Sequence, residues 1–231
     1  MMDPKGRVAM VSGAARGIGR AVTERLLAAG YAVSAGVRDP ARLPAHPALT
    51  GHRFEATDPG GAEAWVAATM ARHGRIDALV NAAGINPKAR MLDTDETNFD
   101  AMWTVNAKGP MRVIRAAWPH LIAAREGRVV NISSLSGKRV RNENLGYAMS
   151  KFAVMALTQE VRRQGWEHGI RATAVCPGFV DTDMTAHVTK VSRGTMSRPE
   201  DVAALIEAVL GLPNNATVAE LLVNCRHEDM L

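Results

Sequence analysis

The sequence lacks most of what marks a secreted, membrane-bound or nucleic-acid-binding chain. Its 231 residues include only two cysteines, Cys176 and Cys225, too few for a disulfide framework and without neighbours spaced like metal ligands. A reducing cytoplasm is therefore the expected compartment. No apolar run approaches the roughly 20 residues of a membrane-spanning helix, and the opening residues lack the apolar stretch and cleavage site of a signal peptide. Aromatics are only 4% of the chain, and the net charge of +5 is not gathered into a basic block with interleaved aromatics. This excludes the usual nucleic-acid footprint and leaves a mildly basic surface that attracts anionic small molecules. Low-complexity segments and fixed-period repeats are missing too, which argues against disorder and solenoids.

What is present is an apolar fraction of 47% in a chain long enough for one α/β domain, 1–231, and short for two. Residues 7–12 read as a buried strand. A Gly-rich turn follows, then Ile18, Val22 and Leu26 at helical spacing, and Gly30 closes the helix before a strand at 31–35. The alternation continues with strands at 51–55, 77–81, 127–132, 170–175 and 218–223, and helices at 61–73, 96–124, 147–166 and 199–210. Such a pattern predicts a doubly wound, Rossmann-like parallel sheet in a three-layer α/β/α arrangement. Ligands of such sheets bind beyond the carboxyl ends of the strands, so the residues there are the candidates for chemistry.

After the first strand comes S-G-A-A-R-G-I-G at 12–19, with Gly13, Gly17 and Gly19 at the strand-to-helix turn and Arg16 and Ile18 between them. Glycines let the backbone approach a pyrophosphate, and the free N–H groups of the following helix attract the anion. The second strand ends without an acid at Val37; Arg38 follows, and Asp39 is one residue too far to hold a ribose hydroxyl and can partly neutralise Arg38. Tyr147 and Lys151 lie four residues apart on one helix face, thirteen residues after Ser134, which with Ser133 closes the fifth strand. A Lys⁺ near a phenol that ordinarily titrates near pKa 10 favours the phenolate and makes it usable in proton exchange.

The G-x-x-x-G-x-G spacing inside a βαβ unit, N-A-A-G at 81–84, T-V-N-A-K-G at 104–109, the Ser134, Tyr147, Lys151 set and C-P-G-F-V-D-T at 176–182 together resemble the short-chain dehydrogenase/reductase family. The resemblance implies an oxidoreductase that moves hydride between a nicotinamide and a carbonyl or secondary alcohol. Tyr147 is then the acid/base, Ser134 holds the substrate oxygen, Lys151 also holds the nicotinamide ribose, and Asn106 holds a water that links Lys151 to solvent. It further implies that Arg16 and Arg38 clamp the 2′-phosphate of NADP(H), in preference to NAD(H). Asn81 and Gly84 shape the adenine-ribose side and support the sheet, Glu55 stands where the family has an Asp beside the adenine, and Pro177, Gly178, Val180 and Thr182 hold the carboxamide. Cys176, beside Pro177, is expected to be packed and not reactive.

Substrate choice in the family depends on the segment after the P-G loop, here a short lid at about 183–198 that suits a small carbonyl compound. Lys138, Arg139 and Arg141 in segment 135–146 also face the site and could meet a substrate carboxylate, or be solvated, or pair at a subunit interface. The last helix and strand resemble a branch of reductases acting on hydroxy acids and other small carbonyl compounds. A homodimer or homotetramer is the family expectation, although the tail at 221–227 departs from the common D-G-G-like turn. A non-catalytic NADP-sensing regulator on the same fold is the alternative, and it would be expected to have lost Tyr147 or Lys151.

Overall fold

The computed structural model describes residues 1–227. Seven strands form one wholly parallel sheet: β1 (Val8–Ser12), β2 (Ala32–Val37), β3 (Leu49–Arg53), β4 (Ala78–Asn81), β5 (Arg128–Ile132), β6 (Arg171–Pro177) and β7 (Glu220–Val223). Their order is β3-β2-β1-β4-β5-β6-β7, so the direction of winding reverses between β1 and β4. The expected strands are all present; the edge strand β3 begins two residues earlier and the edge strand β7 two residues later than the sequence pattern suggests.

Strand alternation divides the core. Ala9 and Val11 of β1 face α1 (Gly17–Ala29) and α6 (Pro199–Leu210), packing with Val22, Leu26, Val202 and Ile206. Met10, between them, faces α2 (Gly61–His73), α4 (Gly109–Ala123) and α5 (Leu145–Gly165), where it joins Trp65, Leu79, Val113, Leu121 and Val161. Both faces of the sheet are thus covered, as a parallel sheet requires.

The long helix expected over 96–124 is broken. It consists of α3 (Thr97–Met102), a π-helical stretch over Trp103–Lys108, and α4. The reason is Pro110: it has no N–H to donate to the carbonyl of Asn106, and its ring would clash with that carbonyl in a regular helix. The wider winding gives Gly109 N–H to the carbonyl of Thr104, five residues back, and re-aims Asn106.

Trp65 locks α2 to the sheet. It is 1% exposed, its indole N–H donates to Ser34 Oγ at 3.0 Å, and its ring lies 4.9 Å from that of Phe54. Gly36 makes room for it, since a Cβ there would come within 2.7 Å of the indole. Trp65→Ala should therefore lower stability by about 3–5 kcal/mol, the usual cost of emptying a large aromatic site. Urea unfolding measures this; a loss under about 1 kcal/mol would show that the ring does not hold the layer.

Candidate active site

Every loop that leaves the carboxyl end of β1 to β6 reaches one cleft of about 1080 Å³, above the range of roughly 300–1,000 Å³ for single small-ligand pockets. Its floor at one end is the turn from β1 into α1. Gly13 (φ 69°) and Gly17 (φ 53°) are left-handed, and a Cβ on Gly13 would come within 2.9 Å of the Ala83 backbone. A Cβ on Gly19 would meet the Gly13 carbonyl at 2.3 Å, so three glycines are needed to let the turn close. Ile18 lines the cleft and packs on the core behind it.

No side chain caps the amino-terminal end of α1, and no acid lies in its first turn. Its N–H groups and partial positive charge therefore face the cleft without an internal anion, which is what a bound phosphate group needs. Arg16 stands at the mouth, 3.9 Å from Asp183 across it. Arg38 lines the wall after β2. Asp39 does not neutralise it: its carboxylate accepts from Ala41 N at 3.1 Å and pairs with Arg42 at 3.4 Å. Arg42, unremarked in the sequence, is thereby a second arginine on this wall. Glu55 is exposed on the same wall beside Phe54.

At the other end stand Ser134, Tyr147 and Lys151. Ser134 follows β5; its Oγ accepts from Ser136 N at 3.0 Å and is 3.5 Å from the carbonyl of Pro177. Ser133 has a separate task, donating to the carbonyl of Lys151 at 3.0 Å and so tying α5 to the strand end. Lys151 is 5% exposed, with Nζ donating to the Ile132 carbonyl at 2.8 Å and lying 5.5 Å from the centre of the Tyr147 ring. Burial pushes this amine down to about 8. The Tyr147 phenol moves the opposite way, up to about 12, because burial disfavours the phenolate more than the contact with Ser134 favours it. Burial alone thus holds Tyr147 protonated.

Two residues act from behind the cleft wall. Asn106 is 2% exposed; its Oδ1 accepts from Ile85 N at 2.9 Å, and its Nδ2 donates to the Ile85 carbonyl at 2.9 Å and to Ser150 Oγ at 3.0 Å. Both of its donors and one acceptor position go to the protein, holding the loop after β4 against α5. Asn81 does not line the cleft either: its Nδ2 donates to Asn131 Oδ1 at 2.8 Å, and Asn131 donates to Thr158 at 2.9 Å, a buried polar ladder joining β4, β5 and α5. Gly84 sits between the two groups, where a Cβ would lie 3.3 Å from Asn106 Oδ1 and 3.8 Å from Lys151 Nζ.

Asn144 is the positioning residue that the sequence reading misses. It caps α5 two residues earlier than expected, accepts from Ala89 N at 3.0 Å, and donates to Asn86 at 2.7 Å and the Pro87 carbonyl at 2.8 Å. An Asn just before the apolar periodicity is an ordinary N-cap signal that could have found it.

The loop after β6 completes the cleft with Pro177, Gly178, Val180 and Thr182; the methyl of Thr182 is 3.2 Å from where a Gly17 Cβ would be, so the two loops meet over the cleft. Cys176, just before, is fully buried against Met155, with its thiol pushed up to about 11 by burial, which fits a packing role. Arg139 and Arg141 line the cleft. Lys138 does not: its ammonium pairs with Glu220 at 2.6 Å, on the far side of β6, which removes it from the set expected near the substrate. Among the described residues no cluster of His, Cys, Asp or Glu could hold a metal ion, and no helix is long and apolar enough to cross a membrane.

Residues 7–192 match the short chain dehydrogenase family. Agropine synthesis reductase of Rhizobium rhizogenes is 39% identical over 229 residues, which cover 96% of this chain; the chain spans about half the length of that relative, 53%. The 3-oxoacyl-[acyl-carrier-protein] reductase FabG of Thermotoga maritima is 34% identical over 224 residues, 89% of this chain and 90% of its own length. Among solved structures, an alcohol dehydrogenase from the archaeon Thermococcus sibiricus, complexed with 5-hydroxy-NADP, superposes with a TM-score of 0.85 at 27% identity, covering 94% of this chain and 95% of that one. The seven-stranded parallel sheet, the glycine turn and these relatives lead to one statement: the chain belongs to the short chain dehydrogenase family.

Proposed function

We propose that this protein is an NADP(H)-dependent oxidoreductase that interconverts a carbonyl and a secondary alcohol, with Tyr147 as the acid/base. The observation that carries the reading is the convergence of Ser134, Tyr147 and Lys151 on one end of a cleft whose other end is an uncapped, acid-free helix terminus. The names of the relatives, two reductases and an alcohol dehydrogenase complexed with an NADP derivative, support the same class.

The residues present suit a nicotinamide dinucleotide. Gly13, Gly17, Ile18 and Gly19 would hold its pyrophosphate, and Arg16, Arg38 and Arg42 its 2′-phosphate, since guanidinium groups bind phosphate through charge-assisted bonds. Glu55 and Gly84 would flank the adenosine and ribose, Lys151 the nicotinamide ribose, and Pro177, Gly178, Val180 and Thr182 the carboxamide. When bound, the reduced nicotinamide supplies the hydride.

The chain supplies the oxygen side of the reaction. Ser134 Oγ, held by Ser136 N, donates to the substrate oxygen and fixes its position. Tyr147, kept protonated by burial, gives its proton to that oxygen as negative charge develops there. Lys151 orients the phenol's surroundings and, while charged, favours proton release from Tyr147; in the oxidative direction Tyr147 takes the proton back. Asn106 and Asn144 keep the start of α5 in register with the loop after β4, and Asn81 stiffens the strands beneath. The segment 183–198 serves as a short lid over a small substrate. Self-association as a homodimer or homotetramer would use the exposed Met149 and Phe152, three residues apart on α5.

Tyr147→Phe should lower kcat by at least about a thousandfold while NADPH binding stays within about threefold. Steady-state rates and a binding isotherm on the same protein measure both, and retained turnover would remove the proton role. The double variant Arg38→Ala, Arg42→Ala should weaken NADPH binding by at least about tenfold and leave NADH binding unchanged, the loss of charge-assisted bonds to one phosphate; equal weakening of both would place these arginines elsewhere. Lys151 is charged below about pH 8 and neutral above it, so the reductive kcat/KM should decline as pH rises through about 8. A profile that stays flat to pH 10 would contradict a role for its charge.

A further inference from the structure

We propose that the protein holds one buried water molecule behind the cleft wall, where the sheet reverses direction, and that this water bridges Asn81, Ser12 and the Val105 carbonyl. The inference goes beyond the oxidoreductase reading and does not depend on it.

It starts from Asn81 Oδ1, a buried atom with no hydrogen-bond partner among the described residues. A chain of donors fixes which way the amide points. Thr158 Oγ1 donates its one proton to the Val154 carbonyl at 2.7 Å, so towards Asn131 Nδ2, 2.9 Å away, it can only accept. Asn131 therefore turns its Oδ1 to Asn81, which meets it with Nδ2 at 2.8 Å. Exchanging the oxygen and nitrogen of Asn81 would set two acceptors against each other. Asn131 is the β5 neighbour of Asn81 and Ser12 its β1 neighbour, so with Nδ2 turned to β5 the oxygen turns towards β1. A buried amide oxygen without a donor is costly, and such groups are ordinarily satisfied by protein or by ordered water.

A second, small cavity lies on that side. Its volume of about 10 Å³ is at the lower limit of what one water molecule needs, and Asn81, Ser12, Val105, Gly109 and Pro110 are among the residues lining it. Ser12 and Val105 bring two more polar groups. Ser12 Oγ accepts from Ala82 N at 3.1 Å and Ala83 N at 3.2 Å, which uses both of its lone pairs and leaves its proton to give. A helical carbonyl points towards the residues four and five places on, which for Val105 are Gly109 and Pro110. Gly109 gives its N–H to Thr104, and Pro110 has none.

These three groups define the occupant. Two are acceptors and one has a proton to donate, which matches a water molecule that gives both protons and takes one. None of the residues lining the cavity is charged, so a cation there would be buried without a counter-charge. Phe54, Ala56 and Ala83 line both this cavity and the cleft and so lie between them. The water joins the end of β1, one residue ahead of the glycine turn, to the end of β4 and to the π-helical stretch that carries Asn106. The irregular winding at Pro110 then leaves no carbonyl unsatisfied, and the glycine turn is braced from behind.

High-resolution crystal structures of the full chain, alone and soaked with NADPH, test this. The expected result is one round density peak in the cavity, about 2.7–3.2 Å from Asn81 Oδ1, from Ser12 Oγ and from the Val105 carbonyl oxygen. Ordered walls with no peak between them would overturn the inference. So would a peak about 2.4 Å from the oxygens, the distance of a bound cation. The peak should persist when NADPH occupies the cleft; its loss there would show cleft solvent and not a built-in bridge. A chain that binds no NADPH would count against the oxidoreductase reading alone, since the structure without dinucleotide still decides the water.

Discussion

The common direction of the seven strands is the constraint on which everything else depends. Because every strand runs the same way, every loop that follows a strand must emerge on one edge, and the reversal of order between β1 and β4 opens a crevice at the middle of that edge. The glycine turn after β1, Arg38 after β2, Glu55 after β3, Gly84 after β4, Ser134 after β5 and Thr182 after β6 share a cleft for this reason alone. They are spread over most of the chain, and only the sheet brings them together.

Placing the loops is not sufficient for the proposed chemistry, which also needs Tyr147 and Lys151 at a fixed depth. Three ties set it. Asn144 joins the first turn of α5 to the loop after β4, Asn106 and Ser150 join its second turn to the same loop, and Ser133 with the Ile132 carbonyl holds Lys151 at the end of β5. Buried polar groups of this kind are costly unless satisfied, and each of these is. The same burial moves the two titrating groups apart, the amine down to about 8 and the phenol up to about 12. Tyr31, the other tyrosine, is also buried, but in the core beside α1 and α6, where it faces no cleft.

The features legible in the sequence are those fixed by local pattern. Short apolar runs marked the strands, period-3.6 apolar spacing the helices, and glycine placement the turn after β1. The elements that escaped depend on partners far away in the chain or on a detail of helix winding. Lys138 looks like a site residue until Glu220, 82 positions on, takes its charge. Asp39 looks like the counter-charge of Arg38, but the chain turns at Pro40 and sets it against Arg42. Pro110 was visible, yet its effect, a π-helical stretch that turns Asn106 into the protein, comes from one missing N–H inside an otherwise helical pattern. Asn106 and Asn81 are accordingly support for the cleft and not part of its lining.

The account stands or falls on whether the cleft uses a phosphorylated nicotinamide dinucleotide. The most direct measurement follows the consumption of NADPH and NADH in parallel by the purified chain over a panel of ketones, aldehydes and oxo acids. The arginines at the phosphate end and the protonated Tyr147 predict that at least one carbonyl compound is reduced, with NADPH preferred over NADH by about tenfold or more, the worth of charge-assisted bonds to one phosphate. Failure to bind either dinucleotide, or a preference for NADH, would contradict it.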